Sequence, residues 1–226
     1  MIYRREKKNM KRITAIISAM IFCISSAFIP AYADETDDIS QYIHSYDTLA
    51  KAPSLVFSGN QMLIKFAPMV QVQGCMIIPD EIKWEISGTA DSEYTSDSFI
   101  KSRSYQENYA LSYCHITASG AGTVIIEAAE IDKWSGRETK LFCIQLNVDE
   151  NGCFDKTVKE RTAGDATGDG IVDVRDITVL NQYIVKLADL SGLELKNADV
   201  TDDGIVDLKD LGNIKKYITK QIKFLK

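Results

Sequence analysis

Eight aspartates stand at matching places in two twelve-residue segments, "DATGDGIVDVRD" (165–176) and "DVTDDGIVDLKD" (199–210), whose starts lie 34 residues apart. Numbered from the first residue of each, carboxylates fall at positions 1, 5, 9 and 12: Asp165, Asp169, Asp173 and Asp176, then Asp199, Asp203, Asp207 and Asp210. Position 3 is Thr167 or Thr201, position 6 is Gly170 or Gly204, and position 7 is Ile171 or Ile205. Like charges this close oppose folding unless a cation gathers them. A hard divalent ion does so, because it takes about six to eight oxygens at roughly 2.3–2.6 Å. A short loop brings that many oxygens to one point only by bending sharply, which glycine permits. The isoleucine carbonyl completes each donor set, with its side chain expected to anchor inward. The spacing therefore predicts two Ca2+ ions, whose binding contributes folding free energy directly.

This is the EF-hand calcium spacing, with two departures. Threonine at position 3 is a neutral donor, and aspartate at position 12 is one methylene shorter than the usual glutamate. Each loop runs into an amphipathic helix. Its buried stripe is expected at Ile177, Leu180, Ile184 and Leu187 in the first copy, and at Leu211, Ile214, Ile218 and Ile222 in the second. Upstream, "KERTAG" and "LELKNA" are poor or very short entering helices. Loop–helix twice, over about residues 164–222, resembles the type I dockerin module of cellulosome-type assemblies.

That resemblance implies a partner: a cohesin module on a scaffoldin. Family contact positions fall on Val174, Arg175, Asn181, Gln182 and Lys186 in the first copy. In the second they fall on Leu208, Lys209, Lys215, Lys216 and Lys220. Asn181–Gln182 opposite Lys215–Lys216 makes the two copies unlike, so a single docking orientation is expected. The pairs at positions 10 and 11 also depart from the Ser-Thr best known in the family.

Upstream of the repeat the texture is β. "EIKWEIS" alternates strictly, with Ile82, Trp84 and Ile86 on one face. "LFCIQLNV" places Phe142, Ile144, Leu146 and Val148 on one face. "MLIKFA", "MVQVQGCMII", "YALSYCHITA" and "GTVIIEAAEI" are further strand candidates. They are separated by turn-rich "FSGN", "ISGTADSEYTSDS", "ASGAG" and "KWSGRE". Some seven short strands over 51–150 predict an antiparallel β-sandwich. "IKWEIS" followed by "ITASGAGTVIIEAAEID" and "KLFCIQLNV" resembles bacterial immunoglobulin-like modules, which implies a spacer or adhesion unit. The expected fold class is thus multi-domain: an all-β immunoglobulin-like sandwich, then a small all-α dockerin with two calcium loop–helix repeats (164–226). Residues 34–50 and 151–163 are expected to be linkers.

The N-terminus, from Met1 or Met10, has a basic start, the apolar run "ITAIISAMIFCISSAFI" and small residues Ala31 and Ala33. Residues 1–33 therefore read as a signal peptide, which predicts a secreted, extracellular chain attached to a cellulosome-type complex and free of membrane after cleavage. Its removal leaves 20 basic and 31 acidic residues, a net charge of −11 that disfavours nucleic acid. Cys75, Cys114, Cys143 and Cys153 remain, as two disulfides or as buried thiols.

No nucleophile–histidine constellation is expected. His44 falls in a linker, and His115 within a strand pattern. The leading expectation is a non-catalytic component. Alternatives are a carbohydrate-binding accessory that recognises plant polysaccharide through Trp134, with Tyr94, Tyr105 and Tyr109 behind it, or a small glycoside hydrolase.

Overall fold

A computed structural model describes residues 29–32, 53–66, 81–104, 107–132 and 135–225. Among them run nine strands. They are β1 (Ile29–Tyr32), β2 (Ser54–Ser58), β3 (Gln61–Phe66), β4 (Glu81–Gly88), β5 (Ser92–Ser104), β6 (Glu107–Ala118), β7 (Gly122–Ile131), β8 (Glu138–Val148) and β9 (Phe154–Glu160). Three helices follow: α1 (Val174–Ile184), α2 (Gly192–Ala198) and α3 (Leu208–Ile218).

The strands form two sheets, ordered β1-β2-β3-β6-β5 and β4-β7-β8-β9. All neighbours are antiparallel except β1 and β2, which pair in parallel from Ile29 opposite Ser54. The sheets face each other across one core. Leu55, Phe57, Met62, Ile64 and Ile116 come from the first, and Trp84, Val124, Ile126, Ile144 and Leu146 from the second. Side chains alternate across a strand, so Ile82 and Trp84 turn inward while Lys83 and Glu85 face water. Trp84 meets Phe142 edge-on at 6.0 Å between ring centres. Burying each large apolar side chain here contributes roughly 1.5–3 kcal/mol.

Two expectations change. The segment 151–163, read as a linker, instead supplies β9, because Phe154 and Val158 turn into the core while the charges between them face out. Phe154 lies 6.4 Å from Phe57, and its N–H donates to the Gly59 carbonyl at 3.0 Å. The polar stretch read as a turn over 86–98 contains only a short connection. From Ser92 onward it is β5, an edge strand whose pairing with β6 needs no apolar face. Strand β1 lies inside the stretch read as a signal peptide.

Residues 34–50, His44, "MVQVQGCMII" with Cys75, Tyr105 and Trp134 lie outside the described residues. Cys114, Cys143 and Cys153 are free thiols. Cys114 is buried in the sandwich core, and Cys143 on the opposite, outer face of β8. His115, half-buried on β6, places Nε2 3.3 Å from Gln61 Oε1. No helix among the described residues is long and apolar enough to cross a membrane.

Beyond β9 the chain reaches the acidic loops directly. Leu180, Ala198, Val200, Leu211 and Ile214 form a second small core, to which Ala166 and the half-buried Val172, Ile177 and Val206 add.

Candidate metal centre and docking face

Each acidic loop is wound around its own first aspartate. Asp165 Oδ1 accepts from the Asp169 N–H at 3.1 Å and Oδ2 from the Gly170 N–H at 2.8 Å. In the second loop Asp199 Oδ1 accepts from Asp202 and Asp203, and Oδ2 from Gly204 at 2.9 Å. Gly170 and Gly204 sit at φ +83° and +79°, left-handed backbone where glycine carries no steric penalty. Position 12 closes each loop from below. Asp176 and Asp210 are fully buried. Asp176 Oδ1 accepts from the Thr167 N–H at 3.0 Å and hydroxyl at 2.9 Å, while Oδ2 accepts from the Asp173 N–H at 2.7 Å. Asp210 repeats this with Thr201 and Asp207 at 2.9 Å each.

The same residues start the helices. Asp173 and Asp207 are N-caps, and with Asp176 and Asp210 at the third helical position they form reciprocal capping boxes. In each loop the carboxylates at positions 1 and 12 thus hold loop N–H groups in place, and position 9 caps the outgoing helix. Arg175 covers the outer pair of the first loop, and Lys209 that of the second. The Arg175 hydrogen bond holds the exposed Asp173 carboxyl below its ordinary range.

As they stand, the carboxylates turn to amides and to these cations. Among the described residues no three acidic, cysteine or histidine side chains converge on one point. The donor chemistry nonetheless fits a hard divalent ion. Asp165 and Asp176 are buried acids, and Thr167, the Ile171 carbonyl, Asp169 and Asp173 supply further oxygens from the same loop. The second loop offers the equivalent set, Asp199, Thr201, Asp203, the Ile205 carbonyl, Asp207 and Asp210. Threonine at position 3 has a defined role in the first loop: its hydroxyl bonds the position-12 carboxylate and orients it.

Position 7 does not anchor inward as expected. Ile171 and Ile205 are 57% and 63% exposed, and Val172 and Val206, one residue later, pack on the core instead. The helical stripe is also shorter than its periodicity suggests. After Ile184 the chain turns through Lys186 at φ +61°, with the Leu187 N–H donating to Gln182 and that of Lys186 to Tyr183. This Schellman turn swings Leu187 outward to 80% exposure. Ile222, also past its helix, is half-buried. Helix α2, seven residues long, is the very short entering helix expected of "LELKNA".

All ten positions carried over as cohesin contacts are exposed: Val174, Arg175, Asn181, Gln182 and Lys186, and Leu208, Lys209, Lys215, Lys216 and Lys220. They lie on or beside α1 and α3. The module meets the sandwich through α2, which the sequence did not suggest. Its only signal was Ile125 and Cys143, two apolar residues on the outer face of β7 and β8.

Residues 163–219 match the family model for the dockerin type I domain. The C-terminal module is thus a type I dockerin, and the match leaves the sandwich outside it. Type I dockerins bind calcium, and such a domain marks a cohesin-binding component of a cellulosome-type assembly. No curated protein matches the chain significantly.

Proposed function

We propose that this chain is a secreted, non-catalytic component of a cellulosome-type complex, holding two calcium ions and docking on a scaffoldin cohesin through α1 and α3. The observation that carries this reading is the exposure of all ten contact positions on or beside α1 and α3. Val174 and Leu208, at 64% and 68% exposed, supply apolar contact at matching places, and the polar helix residues surround them.

The sandwich is read as immunoglobulin-like. With β1 and β9 set aside, the orders β2-β3-β6-β5 and β4-β7-β8 follow the ABED and CFG arrangement of that fold, and Trp84 occupies the strand where a buried tryptophan is expected. Such a module serves as a spacer or adhesion unit.

Immobilised cohesin modules, presented as a panel to the full chain, test the reading. Binding that requires calcium and reverses on chelation is expected from at least one of them. Binding that survives chelation, or none across the panel, would overturn it. A single docking orientation is also proposed, because Asn181–Gln182 and Lys215–Lys216 differ in charge. Altering either pair alone should then weaken binding unequally; equal effects seen only in combination would sink it. Retention on insoluble plant polysaccharide, or sugar released from it, would instead favour a carbohydrate-binding accessory or a small glycoside hydrolase.

A further inference from the structure

Strands β7 and β8 are buried on both faces, although only one faces the sandwich core. Outward-pointing Ile125 and Cys143 close over Leu193 of α2 in a separate apolar cluster. Gln145, also buried, accepts the Leu193 N–H on Oε1 at 3.0 Å. That bond matters because Ser191, the N-cap of α2, makes no side-chain cap of its own. The cap comes from the other module. Gly192 allows the approach: a Cβ there would stand 3.0 Å from Gln145 Oε1.

The far end of α2 is capped in the same way. Arg161, just past β9, donates from Nε to the Lys196 carbonyl at 3.0 Å and from Nη2 to the Asp199 carbonyl at 2.7 Å. Between the ends, Lys196 Nζ lies 2.8 Å from Glu127 Oε2. A seven-residue helix does not hold its shape alone, so α2 depends on the residues of β7–β9 around it.

Two of these contacts reach a calcium loop. Asp199 is both the C-cap of α2 and position 1 of the second loop. Asp202, at position 4, pairs with Lys140 of β8. The first loop is tied less directly, through Asn197, whose Nδ2 donates to the Asp165 carbonyl at 2.8 Å.

We infer that the outer face of the β4-β7-β8-β9 sheet is a fixed seat for the dockerin, and that calcium in the second loop and the seating of the sandwich are energetically linked. The inference rests on the reading of the loops as calcium sites. An ion that gathers Asp199, Asp203, Asp207 and Asp210 fixes the Asp199 carbonyl that Arg161 grips. Withdrawing it sets four carboxylates against each other and loosens that grip. Linkage is reciprocal, so the seat must tighten the ion as much as the ion tightens the seat.

Arg161→Ala in the full chain separates this from simple electrostatics. Removing a positive charge near an acidic loop would by itself tighten calcium. Linkage predicts the opposite: second-site affinity falls about five-fold or more in titration calorimetry, with the first site little changed. Maleimide labelling of the wild-type chain, read residue by residue by mass spectrometry, gives a second measurement free of any substitution. Chelation should speed labelling of Cys143 by about ten-fold or more, while Cys114 in the sandwich core stays protected. Unchanged Cys143 labelling, or tighter second-site binding in Arg161→Ala, would overturn the linkage. No calcium uptake by the wild-type chain would overturn the loop reading itself.

Discussion

The Arg175 guanidinium lies 2.6 Å from the Asp169 carboxylate and 2.9 Å from that of Asp173, so the residue at position 11 bridges positions 5 and 9 of its own loop. Lys209 repeats the bridge more loosely, 3.4 Å from Asp203 and 3.7 Å from Asp207. The carboxylates raise the proton affinity of both basic groups.

A cation in that position would compete with calcium for two of the proposed ligands. Arg175→Ala should therefore tighten calcium at the first loop by about two- to five-fold, the range of an exposed ion pair. It should also weaken cohesin binding, because Arg175 is one of the proposed cohesin contacts. Calorimetric titration and a cohesin-binding assay on the same variant check both signs. Looser calcium in Arg175→Ala would mean that the arginine supports the loop rather than competing for it.

Lys220 holds the left-handed position after α3 at φ +59°, as Lys186 does after α1. A non-glycine residue there costs about 1–2 kcal/mol. Lys220→Gly should raise the unfolding midpoint of the dockerin while lowering cohesin affinity. Stability and docking would then move in opposite directions, as measured by calcium-saturated thermal melts and surface binding. A melt that drops with Lys220→Gly would contradict the strain.

Leu180 and Leu187 look equivalent on the helical repeat, yet one is fully buried and the other is in solvent. Leu180→Ala should cost about 2–5 kcal/mol in urea unfolding. Leu187→Ala should stay within about 0.5 kcal/mol. Similar losses at the two sites would place Leu187 back on the buried stripe.

Burial opposes the charge on Glu127, but the Lys196 hydrogen bond and the charges of Lys196 and Lys140 outweigh it and hold the carboxyl below its ordinary 4.5. A depressed carboxyl stabilises the folded state above its unfolded pKa and loses that contribution as pH falls through the folded value. Wild-type stability should therefore exceed that of Glu127→Gln near neutrality, and the gap should close below about pH 4. Denaturant melts of the two proteins across the acid range measure it. A constant gap would mean the ion pair contributes nothing that titrates.

The two acidic loops and the helices they start were legible because their spacing fixes residue type at every second or third position, and the repeat states it twice. Trp84 and the Phe142–Val148 face were legible because strand alternation has a fixed period. The stripe ended one turn early because Lys186 breaks the helix without glycine or proline to announce it. Strand β9 hid behind its charges, since one phenylalanine and one valine carry its inward face. Gln145 and Glu127 gave no signal, as a polar residue on an outer strand face looks solvated until another module covers it. Their burial is a tertiary fact, written in the meeting of β7 and β8 with Leu193 and Lys196.

Four residues, 161–164, separate the end of β9 from Asp165, and one of them is Arg161, already engaged at both Lys196 and Asp199. A loose tether would let whatever the sandwich carries sweep a volume around its anchor, raising local concentration in every direction. A bracket this short points instead. Each copy bound along a scaffold would present its sandwich at the same angle, so the assembly would hold its load as an oriented array.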